Sequence, residues 1–514
     1  MTTMKRFFSM SVLATTMLFA FTACNDDDNE NVSPVGSVEI SGIPATGEIE
    51  NLGTLGPIAA TITAEGGLES LEVTKDGTAF DEESFDGETS ATYSFSYTAV
   101  EADADKNITF TFTATDTDGD TEVVTHVLSV GEAPATGGEV MVTSNITEDV
   151  TWTNNNVYVL ASRIIVEPGA VLTIEAGTLI KGEVGQGANA TALIIARGAQ
   201  IMAEGTAEAP IIFTSVADEI SQGEIASPNL DETNGGLWGG LIILGNAPIS
   251  DSGNDGTEQI EGIPGDEVLA EYGGDAPEDN SGVLKYISIR HGGTKLGDGD
   301  EINGFTLGGV GSGTTIENIE VVGNLDDGIE WFGGTVNVTN ALVWAADDDA
   351  IDIDQAYSGT INNAIVVSFS GTDHALEIDG PEGTAGGAFT ISNITLIGST
   401  NEIADFREVA AGTVSNVYIT GFVSPLTDTN DDEEGGTGFG DLSLSGSTTT
   451  ELTFSNFEIT LAEGAILADV FKDFTTGEIT DIVTAVDGGA STTGADVNAF
   501  SWTWAANADK LSGL

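Results

Sequence analysis

Six stretches in the second half of the chain repeat one pattern, and this repeat decides the fold. They are IENIEVV (316–322), VTNALVW (338–344), INNAIVV (361–367), ISNITLI (391–397), VSNVYIT (414–420) and FSNFEIT (454–460). Each has an apolar residue, a variable residue, an asparagine and then mainly apolar residues. The asparagines recur at intervals of 22, 23, 30, 23 and 40 residues, at Asn318, Asn340, Asn363, Asn393, Asn416 and Asn456. A base period of 22 to 23 residues with insertions is typical of a solenoid in which each repeat forms one coil.

The composition of the repeats favours β-strands over helices. β-branched residues dominate, Gly, Asn and Asp separate the short apolar runs, and the framework of a leucine-rich repeat is missing. Asparagine tolerates the left-handed backbone conformation of a turn, and stacked asparagines can hydrogen-bond from coil to coil. The longest interval contains TDTNDDEEGGTG (427–438), which we predict to be a loop extruded from one coil. The pattern therefore predicts a parallel β-helix.

The asparagine column resembles the asparagine ladder of right-handed β-helices of the pectate-lyase type. Less regular coils precede it, as in PGAVLTIEAGTLIKG (168–182), RGAQIMAEGTAEAPIIFTS (197–215) and GGLWGGLIILGNAPIS (235–250). These segments resemble a widespread group of exported β-helix proteins of Bacteroidetes-type bacteria. The resemblance implies a right-handed parallel β-helix of roughly a dozen coils over residues 140–514 and a setting at the cell surface. It transfers no catalytic residues.

The first residues read as an export signal. MKRFFSMSVLATTMLFAFTAC (4–24) has two basic residues, an apolar run too short for a membrane span, and a lipobox ending at Cys24. Cys24 is the only cysteine, so no intramolecular disulfide is possible, and we predict that it is lipidated. We expect a lipoprotein signal peptide over 1–23 and an acidic tether over 24–36. The segment resembles the export signal of lipoproteins at the outer face of the outer membrane, which implies a surface-exposed outer-membrane lipoprotein.

Between the tether and the repeats, short alternating runs predict a separate domain. YSFSYTAV (93–100) and ITFTFTATDTDGDTEVVTHVLSV (108–130) indicate an immunoglobulin-like β-sandwich over residues 37–130, followed by a linker over 131–139. Asp116, Asp118 and Asp120 suggest either a calcium loop or a hairpin turn, and the absence of a distal Glu favours the turn. At the other end, Trp502 and Trp504 in AFSWTWAANADKLSGL (499–514) predict a cap over the open end of the solenoid.

The charge excludes one class of partner. The chain has 83 acidic and 13 basic residues, a formal net charge of −70, so it repels nucleic acids and anionic surfaces and attracts cations. Adaptation to high salt would also explain the bulk charge. It would not explain acidic residues that recur in register with the asparagines.

Such a recurrence is visible over four coils. Asp327 and Glu330 follow Asn318 by 9 and 12 residues, and the same offsets recur after Asn340 and Asn393. After Asn363 the offsets are 11 and 14, which one small turn insertion explains. We therefore predict one column of Asp327, Asp349, His374 and Glu402 and a second column of Glu330, Asp352, Glu377 and Asp405.

Acidic columns need a cationic partner, because neighbouring coils lie only about 4.8 Å apart. Calcium, which takes six to eight oxygen ligands, fits clustered carboxylates best, whereas zinc would find one histidine and no cysteine nearby. The predicted calcium ligands are Asp327, Glu330, Asp349, Asp352, Glu377, Glu402 and Asp405. A solvated acidic face is the alternative, and it is the interpretation that we prefer for Asp326, Asp347 and Asp348.

The function expected from this surface is calcium-supported binding of an extended extracellular ligand, a glycan. The residues expected to contact the ligand or to act in catalysis are Asp349, Asp352, His374, Glu377 and Arg407. Trp344, Tyr357 and Tyr272 could stack on sugar rings, whereas Trp331 should point into the core. Three readings stay open: a binding protein, a polysaccharide lyase or glycoside hydrolase, and a passive stalk or adhesin. A lyase would need a basic residue such as Arg407, or Lys285, Arg290, His291 and Lys295 from an earlier coil. A hydrolase would use paired carboxylates.

Overall fold

The computed structural model describes residues 38–49, 53–100, 103–104, 106–131, 137–297, 300–398, 402–407, 409–424, 451–471 and 474–514. The chain divides into two compact units, Met1–Pro134 and Ala135–Leu514. Cys24, the predicted signal peptide and tether, and the predicted loop 427–438 lie outside the described residues. Within the described residues, no helix is long and apolar enough to cross a membrane.

The first unit is a β-sandwich, as predicted. Its strands are β1 (Val38–Ser41), β2 (Thr46–Ile49), β3 (Thr54–Ala64), β4 (Leu68–Lys75), β5 (Thr78–Ser84), β6 (Ser90–Thr98), β7 (Asn107–Asp116) and β8 (Thr121–Val130). They form a three-stranded sheet in the order β1-β3-β6 and a five-stranded sheet in the order β2-β8-β7-β4-β5. All pairings except β2 with β8 are antiparallel. Alternate residues point inward, so that Phe95, Phe110 and Phe112 meet in one core.

The DTDGD segment forms the hairpin turn between β7 and β8. Oδ1 of Asp116 accepts backbone N–H groups from Asp118 at 3.1 Å and from Asp120 at 2.8 Å. The carboxylate therefore braces the turn, in the way that the hairpin reading requires.

The second unit contains the repeats. Its first strands are β9 (Glu139–Val142), β10 (Val150–Trp152), β11 (Val157–Leu160), β12 (Arg163–Val166), β13 (Val171–Ile174), β14 (Leu179–Gly182), β15 (Ala192–Ile195), β16 (Gln200–Glu204), β17 (Ile211–Ser215), β18 (Leu241–Leu244), β19 (Glu258–Gln259), β20 (Glu271–Tyr272) and β21 (Gly282–Arg290). The later strands are β22 (Thr294–Gly297), β23 (Asp300–Ile302), β24 (Phe305–Gly308), β25 (Thr315–Asn324), β26 (Ile329–Phe332), β27 (Asn337–Ala346), β28 (Ile351–Asp354), β29 (Thr360–Val367), β30 (His374–Ile378), β31 (Phe389–Ile397), β32 (Glu402–Phe406), β33 (Ala411–Thr420), β34 (Glu451–Ile459) and β35 (Val483–Ala485). Three short α-helices lie near the C-terminus, α1 (Leu467–Val470), α2 (Thr476–Ile482) and α3 (Trp504–Asn507). Short 3₁₀-helices lie at Gly187–Asn189, Val268–Ala270 and Val497–Phe500.

Two parallel sheets run along this unit. The long sheet follows the path β9-β11-β14-β17-β21-β25-β27-β29-β31-β33-β34-β35, with β10, β13 and β16 beside it. The short sheet has the order β12-β15-β18-β24-β26-β28-β30-β32. Within both sheets, each strand pairs in parallel with the equivalent strand of the next coil. The result is the predicted right-handed parallel β-helix, and the twelve strands on the long path agree with roughly a dozen coils.

The asparagine ladder stands at one corner of the coils. All six asparagines have positive φ, from 56° to 62°, the left-handed conformation that asparagine tolerates. Nδ2 of Asn340 donates to Oδ1 of Asn318 at 2.8 Å, and Nδ2 of Asn363 donates to Oδ1 of Asn340 at 2.6 Å. At the 30-residue interval the ladder shifts by one residue, because Asn393 donates to Asn362 and not to Asn363. The ladder keeps successive coils in register.

The interior of the helix is one apolar core, to which Trp331 contributes as predicted. On the outer face of the short sheet, a second apolar cluster joins Ile165, Ile194 and Ile242 to residues of the long segment between β18 and β21, among them Ile263 and Tyr272. This covering segment shields the first half of the short sheet. The acidic residues lie on its second half.

The C-terminal tryptophans do not cover the open end of the solenoid, contrary to the prediction. Val470, Phe471 and Ile479, in and around α1 and α2, pack against the terminal core instead. The last residues run back along the outer face of the long sheet, where Trp504 packs against Trp344 with ring centroids 5.5 Å apart. The apolar outer face of the long sheet explains the difference, because it needs a cover of its own.

Candidate functional site

The second predicted column lies on the outer face of the short sheet. Strand pairing places Glu330 beside Asp352, Asp352 beside Glu377, and Glu377 beside Asp405. The alternation of β-strands sends their neighbours, such as Trp331, into the core and these four carboxyl groups outward.

The first predicted column stands beside it, where the strands begin. Oδ1 of Asp327 accepts the backbone N–H of Asp349 at 3.0 Å, and Oδ1 of Asp349 accepts the backbone N–H of His374 at 2.7 Å. His374 pairs in register with Glu402. The residues therefore stack in the predicted order, and Asp327 and Asp349 each accept a backbone N–H group from the next coil.

The two columns line an open cavity of about 320 Å³, which we call the acidic cleft. It is lined by ten carboxylic residues, one histidine and one arginine, namely Glu261, Glu301, Asp326, Asp327, Glu330, Asp348, Asp349, Asp352, Asp373, Glu377, His374 and Arg407. Glu402 and Asp405 stack in the columns next to it.

Basic side chains neutralise the two ends of the cleft. At one end, Nζ of Lys295 lies 3.5 Å from Glu301, 3.5 Å from Asp326 and 3.3 Å from Asp348. At the other end, the guanidinium of Arg407 pairs with Glu377, and its Nε lies 2.5 Å from Oδ1 of Asp379.

His374 is a third positive group, beside Arg407. Its Nδ1 lies 2.8 Å from Oδ1 of Asp349, and its Nε2 lies 3.4 Å from Oε2 of Glu402. Burial lowers the pKa of His374, but hydrogen bonds to these two carboxylates outweigh it and raise the pKa to about 12. The histidine is therefore a cation and not a free metal ligand.

The middle of the cleft has no such partner. Asp327, Glu330 and Asp352, the central triad, are each at most 9% exposed, and one oxygen from each lies within 4.8 Å of the others. No salt bridge reaches any of the three from the residues that the structure describes. Oδ1 of Asp352 has no hydrogen-bond partner there either. Three buried carboxylates therefore face one another in the middle of the cleft.

Protonation relieves the repulsion among these carboxyl groups. Burial first, and then neighbouring carboxylates, raise the pKa values of Asp327, Glu330 and Asp352 well above their usual range. Burial and the nearby Asp349 likewise raise the pKa of Glu377 to about 9, against the opposing effect of Arg407. A bound cation would replace these protons.

Two of the residues assigned to a solvated turn belong to the cleft. Asp326 is 2% exposed and Asp348 half-buried, and both pair with Lys295, so the prediction for them is wrong. Asp347 is exposed, as predicted. Glu261 and Glu301 were missed because they come from segments outside the repeat, where no register relates them to the columns.

The aromatic residues expected to stack on sugars are not available. Trp344, Tyr357 and Tyr272 are all at most 3% exposed, and Tyr357 donates its hydroxyl to the carbonyl of Val336. Each belongs to an apolar cluster of the fold. The prediction of an aromatic platform is therefore wrong.

Most of the earlier basic residues also lie elsewhere. Arg290 is buried beside Glu320 under the C-terminal segment, and His291 is buried beside Asp218. Lys285 pairs with Glu317 on the long sheet. Of this group, Lys295 alone reaches the carboxylates of the cleft in the described part of the chain.

A comparison with protein families finds one match. The family described as "Pectate-lyase like beta helix domain" matches residues 144–507, nearly all of the second unit. No curated protein matches the sequence.

The solved structures similar to the chain include the following three. A family 28 exopolygalacturonase from Yersinia enterocolitica shares 10% identity over 79% of this chain and 84% of its own, with a TM-score of 0.23. The catalytic unit of a GH87 α-1,3-glucanase from Streptomyces thermodiastaticus shares 10% identity over 85% and 89%, with a TM-score of 0.31. A pectate lyase from Pectobacterium carotovorum shares 8% identity over 78% and 96%, with a TM-score of 0.10.

Proposed function

This chain belongs to the family of pectate-lyase-like β-helix domains, and from that premise we propose that its acidic cleft binds calcium and, with the ion, an extended glycan. The central triad is the observation that supports this function. Each of three buried carboxylates offers an oxygen to one ion, and calcium, which takes six to eight oxygen ligands, would complete its shell with oxygens of the ligand and water. Magnesium fits less well, because it demands a strict octahedron and retains its waters.

A second group of possible ligands, Asp349, His374 and Glu377, is better explained without a metal. His374 and Arg407 already place positive charge among these carboxylates. Zinc would require the histidine as a neutral ligand, whereas Asp349 and Glu402 keep it protonated. The ion is therefore assigned to the central triad.

The shape and charge of the cleft support a long, hydroxyl-rich ligand. The acidic columns extend over four strands of the short sheet, from β26 to β32, which is three steps of about 4.8 Å or about 14 Å. Carboxylates accept hydrogen bonds from hydroxyl groups, and calcium takes further oxygens from the ligand. Lys295 and Arg407 at the two ends offset part of the negative charge.

Hydrolysis of the glycan is the second candidate, and the environment of Glu377 favours it. With its pKa raised to about 9, Glu377 is an acid that can donate a proton near neutral pH. One oxygen of Asp349 lies within 4.8 Å of it, and a hydrolase uses such a pair of neighbouring carboxyl groups. A lyase is less favoured, because it needs a basic residue that accepts a proton. Burial lowers the pKa of Arg407, but the neighbouring carboxylates of Glu377 and Asp379 outweigh this effect and raise it, so that the guanidinium remains protonated.

We also propose that the protein is anchored to the outer membrane through a lipid on Cys24 and displays the cleft at the cell surface. The support for this setting comes from the signal-like sequence over residues 1–24. Mass spectrometry of the membrane fraction would detect the lipid, and Cys24→Ser should release the protein.

Calorimetric titration of calcium into the metal-stripped fragment 37–514 tests the ion site. We expect one ion per chain, loss of binding in Asp327→Asn, and unchanged binding in Asp347→Asn, which removes the same charge from an exposed neighbouring position. A glycan array probed in calcium and in chelator then tests the ligand. Binding of no glycan in either condition would leave a surface stalk as the better description.

Release of reducing ends from any glycan bound by the fragment separates an enzyme from a binding protein. Glu377→Gln should abolish that release while the glycan still binds. Release that survives this substitution would exclude Glu377 as the acid.

A further inference from the structure

A second cavity lies on the short sheet at its other end, away from the acidic cleft. It encloses about 550 Å³, within the range of about 300 to 1,000 Å³ that small-molecule sites occupy. Its floor is apolar. Ile165 of β12 and Ile194 of β15, which are paired in register, line the cavity together with Ile263 and Pro264 of the covering segment.

One wall of this cavity carries an arginine without a partner. The alternation of β12 sends Ile164 and Val166 into the core and Arg163, like Ile165, to the outer face. No salt bridge joins Arg163 to any described carboxylate, and its buried NH1 donates no hydrogen bond. The other described arginines, Arg197, Arg290 and Arg407, each pair with an acid.

An arginine without an acidic partner is unusual for this chain. With 83 acidic residues against 13 basic ones, a guanidinium has no shortage of partners. Asp266 and Glu267 also line the cavity, and neither forms an ion pair with Arg163. The lining thus combines a cationic donor, two acidic acceptors and apolar side chains.

We propose that this cavity is a binding site for a small organic acid of monosaccharide size, a sugar acid. Its carboxylate pairs with the guanidinium of Arg163, which matches the geometry of a carboxylate with two parallel hydrogen bonds. Its hydroxyl groups donate to Asp266 and Glu267, and its C–H faces contact the apolar part of the lining. The two acidic residues also repel a second negative charge, so the site selects a monoanion. The site does not involve calcium and is independent of the function proposed for the acidic cleft.

Calorimetry with fragment 37–514 in chelator, using glucuronate, glucose and inorganic sulfate as probes, tests this site. We expect saturable one-to-one binding of glucuronate, with glucose and sulfate at least about tenfold weaker. Arg163→Gln should weaken glucuronate binding at least about tenfold. Lys285→Gln, which removes the same charge on the long sheet, should leave it unchanged.

Three results would overturn the proposal: no saturable binding of glucuronate, sulfate bound as tightly as glucuronate, or equal weakening by Arg163→Gln and Lys285→Gln. If Arg163→Gln does not fold, Asp266→Asn decides. Removing this exposed negative charge beside the cavity should tighten glucuronate binding several-fold, and unchanged or weaker binding would contradict the assignment.

Discussion

Asp352→Asn tests the calcium site, because it should stabilise the metal-free protein and at the same time remove its response to calcium. The side chain belongs to the central triad, and its Oδ1 has no partner among the described residues. The amide has almost the shape of the protonated acid, so the substitution removes the charge and leaves the packing.

The magnitude follows from the geometry. Two ionised carboxylates within 4.8 Å of each other repel by at least about 3.5 kcal/mol at an effective dielectric constant of about 20. Asp352 takes part in two of the three pairs of the triad, so its ionisation beside two ionised neighbours would cost about 7 kcal/mol, in addition to the cost of its burial. Keeping it protonated at pH 7 costs about 4 kcal/mol relative to an ordinary aspartate. The metal-free protein therefore holds the proton, and Asp352→Asn removes that cost.

We accordingly expect metal-free Asp352→Asn to be more stable than the wild type at pH 7, by up to about 4 kcal/mol. Calcium at a hundred times its dissociation constant should stabilise the wild type by about 2.7 kcal/mol. It should stabilise the variant far less. The same substitution thus raises the free energy of unfolding without calcium and removes the response to calcium.

Urea unfolding followed by tryptophan fluorescence is the assay. All six tryptophans lie at or beyond residue 152, in the β-helix unit, so the signal does not report on the sandwich. Asp347→Asn is the matched control and should respond to calcium like the wild type. A variant destabilised in chelator by more than about 1 kcal/mol, or one that keeps the full calcium response, would refute the reasoning.

Three further predictions concern the rest of the helix. The metal-free protein should lose stability as the pH rises from neutrality to about 10. Burial chiefly raises the folded-state pKa values of Glu377 and Asp326 to about 9 and about 10, so the folded state holds protons that the unfolded state has already released, and this advantage is lost as the pH approaches those values. A urea midpoint independent of pH would contradict this. Asn340→Ala should lower the free energy of unfolding by about 2 to 3 kcal/mol, because it breaks two ladder hydrogen bonds and places alanine at a φ of 59°. Asn340→Gly should lower it less, because glycine adopts that φ freely, and equal urea midpoints for the two variants would exclude the backbone contribution. Glu320→Gln should destabilise the β-helix by about 3 to 5 kcal/mol, because it leaves the buried Arg290 without its counter-charge. A change below about 1 kcal/mol in the same assay would show that the ion pair does not stabilise the fold.

Much of the candidate site could be predicted from the repeat alone. In a parallel solenoid, residues at equal offsets from a repeated landmark occupy the same position on successive coils. The asparagines supplied that landmark, so Glu330, Asp352 and Glu377 could be stacked before any coordinates were considered. The inward direction of Trp331 followed from the same alternation.

The cleft as a site, however, depends on residues that have no such landmark. Glu261, Glu301 and Lys295 reach it from segments between the coils, and the length of such a segment does not determine where it packs. Burial of Asp326 under these segments changed a surface residue into a part of the site. For the same reason the sequence could not show that Arg163 lacks an acidic partner, because it does not show which carboxylates lie close to the guanidinium.

The amino-acid sequence by itself determined the β-helix, its period and the order of residues in each column, because all of these depend on local spacing that every coil repeats. Only the tertiary structure decided which acids are buried, which have a positive partner, and where the C-terminal segment lies. Those properties depend on non-local packing, in which covering segments meet whichever face of the helix leaves apolar surface exposed. Trp504 illustrates the difference: its apolar character was evident from the sequence, but the outer face of the long sheet decided where it is buried.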